Sequence, residues 1–159
     1  MINTTLCYIC RDNAYLMLHR VLKKNDLNHD KWIGLGGKFE AGESPEDCVL
    51  REVREEIGVT LTDYRYRGIV TFVSDEYGTE YMHLFTATAY EGTPSAYCDE
   101  GVPAWIAKQD LYALPMWAGD RIFLQLLEED APFFSLKLVY RGEQLTDAVL
   151  DGKRVPLPT

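Results

Sequence analysis

The segment from residue 36 to residue 59, GGKFEAGESPEDCVLREVREEIGV, constrains the fold most, because a glycine-rich turn leads directly into a helix with defined ends. Ser44 is the expected N-cap, and Asp47 completes a Ser-x-x-Asp variant of the capping box. Pro45 suits the first helical position, where no backbone N–H is needed. Gly58 supplies the stop, since glycine readily takes the left-handed conformation that ends helices. The segment therefore predicts a helix that begins at Pro45 and ends before Gly58.

The predicted helix has an apolar face and a neighbouring acidic face, since residues three and four positions apart lie side by side. The apolar face contains Val49, Leu50, Val53 and Ile57. The acidic face contains Glu52, Glu55 and Glu56. One interpretation is a solvated charged face that Arg51 and Arg54 partly neutralise. The other is a site for a hard divalent cation such as magnesium, which prefers oxygen ligands.

Composition narrows the classes of function. The 159 residues include 16 basic and 25 acidic side chains, which give a formal net charge of −9. This charge disfavours binding to nucleic-acid polymers and to anionic membranes. The length fits a single domain covering residues 1–159. No run approaches the ~18 apolar residues of a membrane span, and no secretion signal is recognisable, so a cytoplasmic location is expected.

The four cysteines are expected to be reduced thiols in such a location. Cys7 and Cys10 have the CxxC spacing that also occurs in zinc and redox sites. Their segment, TTLCYICR, has the pattern of a strand, and residues three apart on a strand point to opposite faces. We therefore expect the pair to be structural.

The rest of the chain alternates strands and helices without a linker or a repeat. Pairs of strands are predicted to meet at Asp12 and Asn13, across residues 75–79, and at Arg141 and Gly142. A second helix is predicted at residues 119–130. This order predicts an α+β fold in which a mixed sheet is flanked by helices.

Nine residues of the acidic segment stand at fixed spacing. Five residues separate Gly37 from Glu43, and seven residues separate Glu43 from Arg51-Glu52-Val53. One residue then separates Val53 from Glu55-Glu56, and one more separates Glu56 from Gly58-Val59. This pattern resembles the complete signature of the Nudix hydrolases. So many specified positions make it a strong motif.

The resemblance implies a Nudix αβα sandwich with a mixed central sheet, and hydrolysis of a nucleoside diphosphate linked to another group. It implies magnesium as the cofactor, with manganese as an alternative ion. The implied metal ligands are Gly36, Glu52, Glu55, Glu56 and Glu100. Glu56 is the implied base that activates water, with Glu55 and Glu100 as competitors. Glu43 and Arg51 are expected to form a structural ion pair.

A second similarity, to the MutT type of Nudix enzyme, extends from about residue 16 to about residue 140. The base-binding positions that it implies are Phe72, Trp117 and Asp120. The Nudix signature itself implies that Lys38 lies near the phosphates, and Lys23, which opens the loop before Trp32, is a further candidate for contact with the nucleotide. Trp117 and Phe72 would stack on a purine, and ionised Asp120 would accept from a guanine-like edge. Two alternatives remain open from the residues, since Trp117 could be a core lid and Asp120 could be a helix N-cap. Lys23 could equally be a solvated loop residue.

Two positions depart from the mammalian relatives of this type. Ile33 stands where they carry an asparagine, and Gly119 precedes Asp120 where they carry two adjacent aspartates. Both changes remove polar groups from the implied base pocket, so a strict preference for oxidised guanine does not follow.

The sequence as a whole predicts a magnesium-dependent hydrolase that cleaves a nucleoside triphosphate to the monophosphate and pyrophosphate. The expected substrate is 8-oxo-dGTP or a related oxidised purine nucleotide, so the role would be sanitation of the nucleotide pool. One alternative is hydrolysis of a dinucleotide or a nucleotide sugar, and another is a nucleotide-binding sensor without activity. The expected partner is the nucleotide alone, and the expected assembly is a monomer or a homodimer.

Overall fold

A computed structural model describes residues 1–158 of the chain. Within this range, nine strands form one sheet, accompanied by two α-helices and a short 3-10 helix at Lys108–Ala113. The strands are β1 Ile2–Arg11, β2 Ala14–His19, β3 Trp32–Ile33, β4 Thr60–Ser74, β5 Gly78–Glu91, β6 Val102–Ala107, β7 Phe134–Arg141, β8 Gln144–Leu150 and β9 Lys153–Arg154. The helices are α1 Pro45–Ile57 and α2 Asp120–Glu128.

The sheet is mixed, as predicted. Its strand order is β3-β2-β1-β5-β4-β7-β8-β9, and β6 pairs with β2. The β1–β5 and β4–β7 pairs are parallel, and the other pairs are antiparallel. An α+β sandwich of the expected class is therefore confirmed.

Alternate residues of β1 enter two separate cores, because successive side chains of a strand point to opposite faces. Cys7 and Ile9 lie in the core that packs against α1. Leu6 and Tyr8 lie in the core that packs against α2. Cys10 packs against this second core and not with Cys7, so the two cysteines lie on opposite faces of the sheet, as predicted.

Helix α1 has the predicted ends. Ser44 Oγ accepts from the backbone N–H of Asp47 at 3.1 Å, and Asp47 Oδ2 accepts from the N–H of Ser44 at 3.0 Å. Gly58 adopts φ 75°, the left-handed conformation, and its N–H donates to the carbonyl of Arg54 at 2.9 Å. The apolar side chains Cys48, Val49, Val53 and Ile57 are buried.

Some elements differ from the sequence prediction. Strand β3 has only two residues, and the chain beyond it pairs with β1 through Leu35 and Lys38. The 3-10 helix and β9 were not predicted, since a two-residue strand has too few residues for a recognisable pattern. Helix α2 has Gly119 at its N-cap position, and no side chain caps it.

None of the helices within residues 1–158 is long and apolar enough to span a membrane.

The capping box of α1 is expected to stabilise the whole domain, because the helix supplies one side of a buried core. Ser44→Ala removes the cap and is expected to lower the free energy of unfolding by about 1 kcal/mol. Urea denaturation measures this change. Ser135→Ala, at an exposed hydroxyl on β7, is the control, and equal losses in both variants would contradict the role of the cap.

Candidate active site

The glycine-rich segment lies between β1 and α1. Thr5 N–H donates to the carbonyl of Gly37 at 2.9 Å, and Cys7 N–H donates to the carbonyl of Leu35 at 2.6 Å. Gly36 lies between Leu35 and Gly37, and its N–H points away from β1 and donates to Glu56 Oε1 at 2.7 Å. Since the N–H and C=O of an extended residue point to the same side, the Gly36 carbonyl also faces α1.

This arrangement requires glycine at both positions. A Cβ on Gly36 would lie 1.9 Å from the backbone oxygen of Thr5. A Cβ on Gly37 would lie 2.5 Å from Oε2 of Glu52. The missing side chains therefore let the acidic face of α1 approach the strand directly.

Glu56 occupies the most enclosed position of the acidic face. One oxygen accepts from Gly36, and the other, Oε2, is buried without a hydrogen-bond partner among the described residues. The pKa of this carboxyl is raised to about 8, mainly by burial. The negative charges of Glu100 and Glu52 also raise it, and the hydrogen bond from Gly36 opposes them. Burial also raises the pKa of Glu52, and the charges of Glu55 and Glu100 add to this effect. Burial and mutual repulsion therefore disfavour the ionised forms of both carboxyl groups.

Arg51 binds the acidic side chains at the edge of the helix. Its guanidinium donates to both oxygens of Glu43 at 2.7 and 2.9 Å, which confirms the expected ion pair. It also donates to Glu52 at 2.8 Å, to Glu55 at 3.1 Å and to the carbonyl of Lys38 at 3.0 Å. These bonds lower the pKa of Glu43 to about 2, the largest contribution being the hydrogen bond from Arg51.

Glu100 belongs to the loop before β6 and reaches the same region. Its Oε2 accepts from Arg20 at 2.6 Å, and Lys23 lies 3.9 Å from its other oxygen. Its charge acts on both Glu52 and Glu56, so the fold brings it toward the helix carboxylates. Lys23 and Lys38 are exposed.

The residues present fit a divalent cation. The unpartnered Oε2 of Glu56, the raised pKa of its carboxyl and the Gly36 carbonyl on the same side all favour added positive charge at this point. No three acidic, histidine or cysteine side chains among residues 1–158 form a ready metal-binding group. The arginines account for this, since Arg51 holds Glu52 and Glu55 and Arg20 holds Glu100.

The predicted base-binding residues form a second group, on the α2 face of the sheet. The rings of Trp117 and Phe72 both pack near the ring of Tyr140, at centroid distances of 5.3 and 6.1 Å. Trp117 Nε1 donates to Asn28 Oδ1 at 2.7 Å, and Lys31 Nζ lies 4.4 Å from the indole ring. Trp117 packs against the core but stays partly accessible.

Asp120 is 3% exposed and is the first residue of α2. Its side chain makes no capping bond, so the N-cap alternative is wrong, and Gly119 takes that position instead. The pKa of Asp120 is raised to about 8, mainly by burial and in addition by the negative charge of Glu80. Glu80 stands directly opposite Phe72 in the β4–β5 pair, on the same face.

Sequence reasoning did not identify four residues that contact the predicted site residues: Arg20, Asn28, Glu80 and Tyr140. Two of them had a recognisable signal in the sequence. Glu80 and Phe72 are the same number of residues from the turn of one hairpin, so they are expected to face each other. Arg20 is a cation that directly follows the end of β2. Asn28 and Tyr140 carried none, because each meets Trp117 across a large separation along the chain.

The family model described as NUDIX domain matches residues 2–127. The chain therefore belongs to the Nudix family and is a Nudix hydrolase.

Particular relatives show that it is MutT-like. The chain is 36% identical over 136 residues to the oxidized purine nucleoside triphosphate hydrolase of Danio rerio, with 83% of this chain and 82% of that protein covered. It is 32% identical over 127 residues to the uncharacterized Nudix hydrolase YvcI of Bacillus subtilis, with 77% of each covered. The crystal structure of a MutT protein from Bacillus halodurans matches with a TM-score of 0.85 at 27% identity, covering 96% of this chain and 99% of that one.

The ion pair between Glu43 and Arg51 gives a pH-dependent prediction. The carboxyl of Glu43 is expected to titrate at about 2, and Arg51→Gln is expected to return its midpoint toward the ordinary 4.5. Because the folded pKa lies below the unfolded one, the pair stabilises the protein above pH 4.5, and this stability is lost as the pH falls toward 2. Carbon-13 NMR of the carboxyl group measures the midpoint. Arg54→Gln, on an exposed face of the same helix, is the control, and a midpoint unchanged by Arg51→Gln would contradict the assignment.

Proposed function

We propose that this Nudix hydrolase cleaves a nucleoside triphosphate to the monophosphate and pyrophosphate in a magnesium-dependent reaction. The observation that carries the proposal is the buried carboxyl of Glu56, which has one oxygen unpartnered and lies between a glycine-lined strand and two further acidic side chains. A carboxyl group that disfavours its own charge needs a cation to become a carboxylate. A polyphosphate substrate, which is itself anionic, needs the same cation.

The proposed metal ligands are the Gly36 carbonyl and the carboxylates of Glu52, Glu55, Glu56 and Glu100, with magnesium as the ion and manganese as the alternative. Bound there, the ion would polarise phosphoryl oxygens, neutralise charge on the pyrophosphate leaving group and favour the ionised form of Glu56.

Glu56 is the proposed base that takes a proton from the attacking water. Its competitors are less suitable, because Glu55 accepts a hydrogen bond from Arg51 and Glu100 accepts one from Arg20. Lys38 and Lys23 are exposed cations near the two ends of the acidic group, and we propose that they contact the phosphates.

We propose an oxidised purine nucleotide, such as 8-oxo-dGTP, as the substrate. Support comes from the aromatic pair Trp117 and Phe72 beside the buried acid Asp120, and from the name of the Danio rerio relative, an oxidized purine nucleoside triphosphate hydrolase. Stacking on such rings is worth about 1–3 kcal/mol per base. The physiological role would then be removal of damaged precursors before DNA synthesis.

We further propose that residues 1–159 act as one Nudix domain. The continuous pairing of β4 with β7, and of β7 with β8, supports this, because these last strands extend the same sheet beyond the family match. We propose a cytoplasmic location, which the four free thiols support. A monomer or a homodimer that binds nucleotide, without a nucleic-acid or membrane partner, fits the net charge of −9.

The main test is pyrophosphate release from a panel of ordinary and oxidised nucleotides with magnesium. Glu56→Gln is expected to lower kcat by on the order of 10²–10⁴, the usual contribution of a positioned base. Glu46→Gln, at an exposed position in the first turn of the same helix, is the matched control and is expected to keep full activity.

Three outcomes would overturn parts of the proposal. Full activity in Glu56→Gln would refute the assignment of the base. Turnover of dinucleotides or nucleotide sugars in place of triphosphates would refute the substrate class. Tight binding of a nucleotide without any turnover would indicate a sensor.

Asp120 is expected to make base preference depend on pH. Below its pKa of about 8 the neutral acid donates one hydrogen bond and accepts one, which also suits adenine. Above that pKa the carboxylate only accepts, which suits the N1–H and amino group of guanine. The ratio of kcat/KM for dGTP over dATP is therefore expected to rise about tenfold from about pH 7 to about pH 9. In Asp120→Asn the ratio is expected to stay constant, and a constant ratio in the unchanged protein would refute the assignment.

A further inference from the structure

The loop of residues 20–31, between β2 and β3, touches both groups of site residues. Its ends are joined, because Arg20 N–H donates to the carbonyl of Lys31 at 3.0 Å. Within it, Leu22 N–H donates to the carbonyl of Glu100 at 3.2 Å. The loop is therefore fixed against the segment that carries one of the proposed metal ligands.

An arginine of this loop binds two acidic groups at once. Arg20 Nη1 donates to Glu100 Oε2 at 2.6 Å, while its Nε and Nη2 donate to the two oxygens of Asp26 at 2.7 and 3.0 Å. The side chains of Arg20 and Asp26 are only 9% and 4% exposed, so solvent screens this pair little. Asp26 therefore fixes the orientation in which Arg20 meets Glu100.

The contacts continue from Asp26 to the base-binding group. Asp26 Oδ1 also accepts from the backbone N–H of Asn28 at 3.0 Å. Asn28 Oδ1 in turn accepts from Trp117 Nε1 at 2.7 Å. The indole N–H is a donor only, so this bond selects one orientation of the ring. An unbroken series of hydrogen bonds thus joins Glu100 to Trp117.

We infer that Arg20, Asp26 and Asn28 form a relay that couples the position of Glu100 to the orientation of Trp117. The inference rests on the proposed function for the roles of the two ends, the metal site and the base platform. If Glu100 were to bind a cation in place of Arg20, the guanidinium would lose one of its two carboxylate partners and would be held by Asp26 alone. Asp26 and the backbone of Asn28 would then shift, and the oxygen of Asn28 that accepts from Trp117 would shift with them.

The relay gives the protein a way to join two requirements of its substrate. Cation and phosphates bind at Glu100, and the base binds at Trp117, so a nucleotide is held well only when both ends are filled together. The three relay residues are positioning residues, because they act through Glu100 and Trp117 and need no contact with the nucleotide.

Fluorine NMR of protein labelled with 5-fluorotryptophan tests the coupling directly. The Trp117 signal is identified by its loss in Trp117→Phe. Glu100→Gln, measured without metal or nucleotide, removes the charge that Arg20 binds and is expected to shift this signal. Asp26→Asn interrupts the relay, and so does Asn28→Ala at a half-buried position. In both backgrounds Glu100→Gln is therefore expected to leave the Trp117 signal unchanged.

Asp30→Asn is the matched control, since Asp30 is an exposed acid of the same loop that pairs with His19 at 2.8 Å. In that background Glu100→Gln is expected to shift the Trp117 signal as before. The signal of Trp105, on β6, reports whether each variant is folded. The relay is refuted if Glu100→Gln does not move the Trp117 signal in the unchanged protein, or moves it equally when Asn28 is alanine.

A magnesium titration by calorimetry separates this inference from the proposed function. Absence of binding would refute the metal site, whereas the metal-free NMR series decides the relay by itself. Steady-state kinetics give a second readout, because Asn28→Ala is expected to raise KM about fivefold, the effect of one hydrogen bond, with little change in kcat. Asn28→Asp keeps the acceptor oxygen and is expected to restore KM, and a failure to do so would contradict the role of Asn28.

Discussion

The contact between the glycine segment and the strand beside it determines the rest of the site. Gly36 and Gly37 pass so close to β1 and α1 that any side chain would collide with the backbone of Thr5 or with Glu52. This approach aims the Gly36 N–H at Glu56 and shuts the carboxyl away from water. The raised pKa of Glu56 follows from backbone packing, before any ligand is considered.

Two arginines bind the acidic side chains that surround Glu56. Arg51 bridges Glu43, Glu52 and Glu55 on the helix, and Arg20 holds Glu100 from the opposite side. Each arginine therefore neutralises part of the negative charge of the proposed metal ligands. Glu56 is the exception, since its second oxygen meets no donor within residues 1–158.

The parts of the fold that could be read from the sequence are those set by neighbours along the chain. Helix α1 was predicted to the residue, because its cap, first turn and stop are local signals. The turn at Asp12 and Asn13 was equally legible, since both residues tolerate the positive φ they adopt. The partners of Glu100 and Trp117 could not be foreseen, because Arg20 lies 80 residues from Glu100 and Asn28 lies 89 from Trp117. Contacts of that kind depend on where the 20–31 loop folds back, and its polar sequence has no periodicity to indicate this.

Gly119 shows how one substitution can reorganise a pocket. The sequence alone indicates only the loss of one aspartate at this position. In the structure, the atoms around Gly119 leave no room for a side chain. A Cβ there would lie 2.5 Å from Leu138 and 2.6 Å from the hydroxyl of Tyr140. That hydroxyl instead accepts the Gly119 N–H at 2.8 Å, and the ring of Tyr140 packs near both Trp117 and Phe72. Tyr140 thus fills the space that a second acid would need. Glu80 is the acidic residue whose charge raises the pKa of Asp120. The proposed base pocket of this chain therefore has one acid at the start of α2 and a second on the sheet, an arrangement that changes which edge of a purine each can meet.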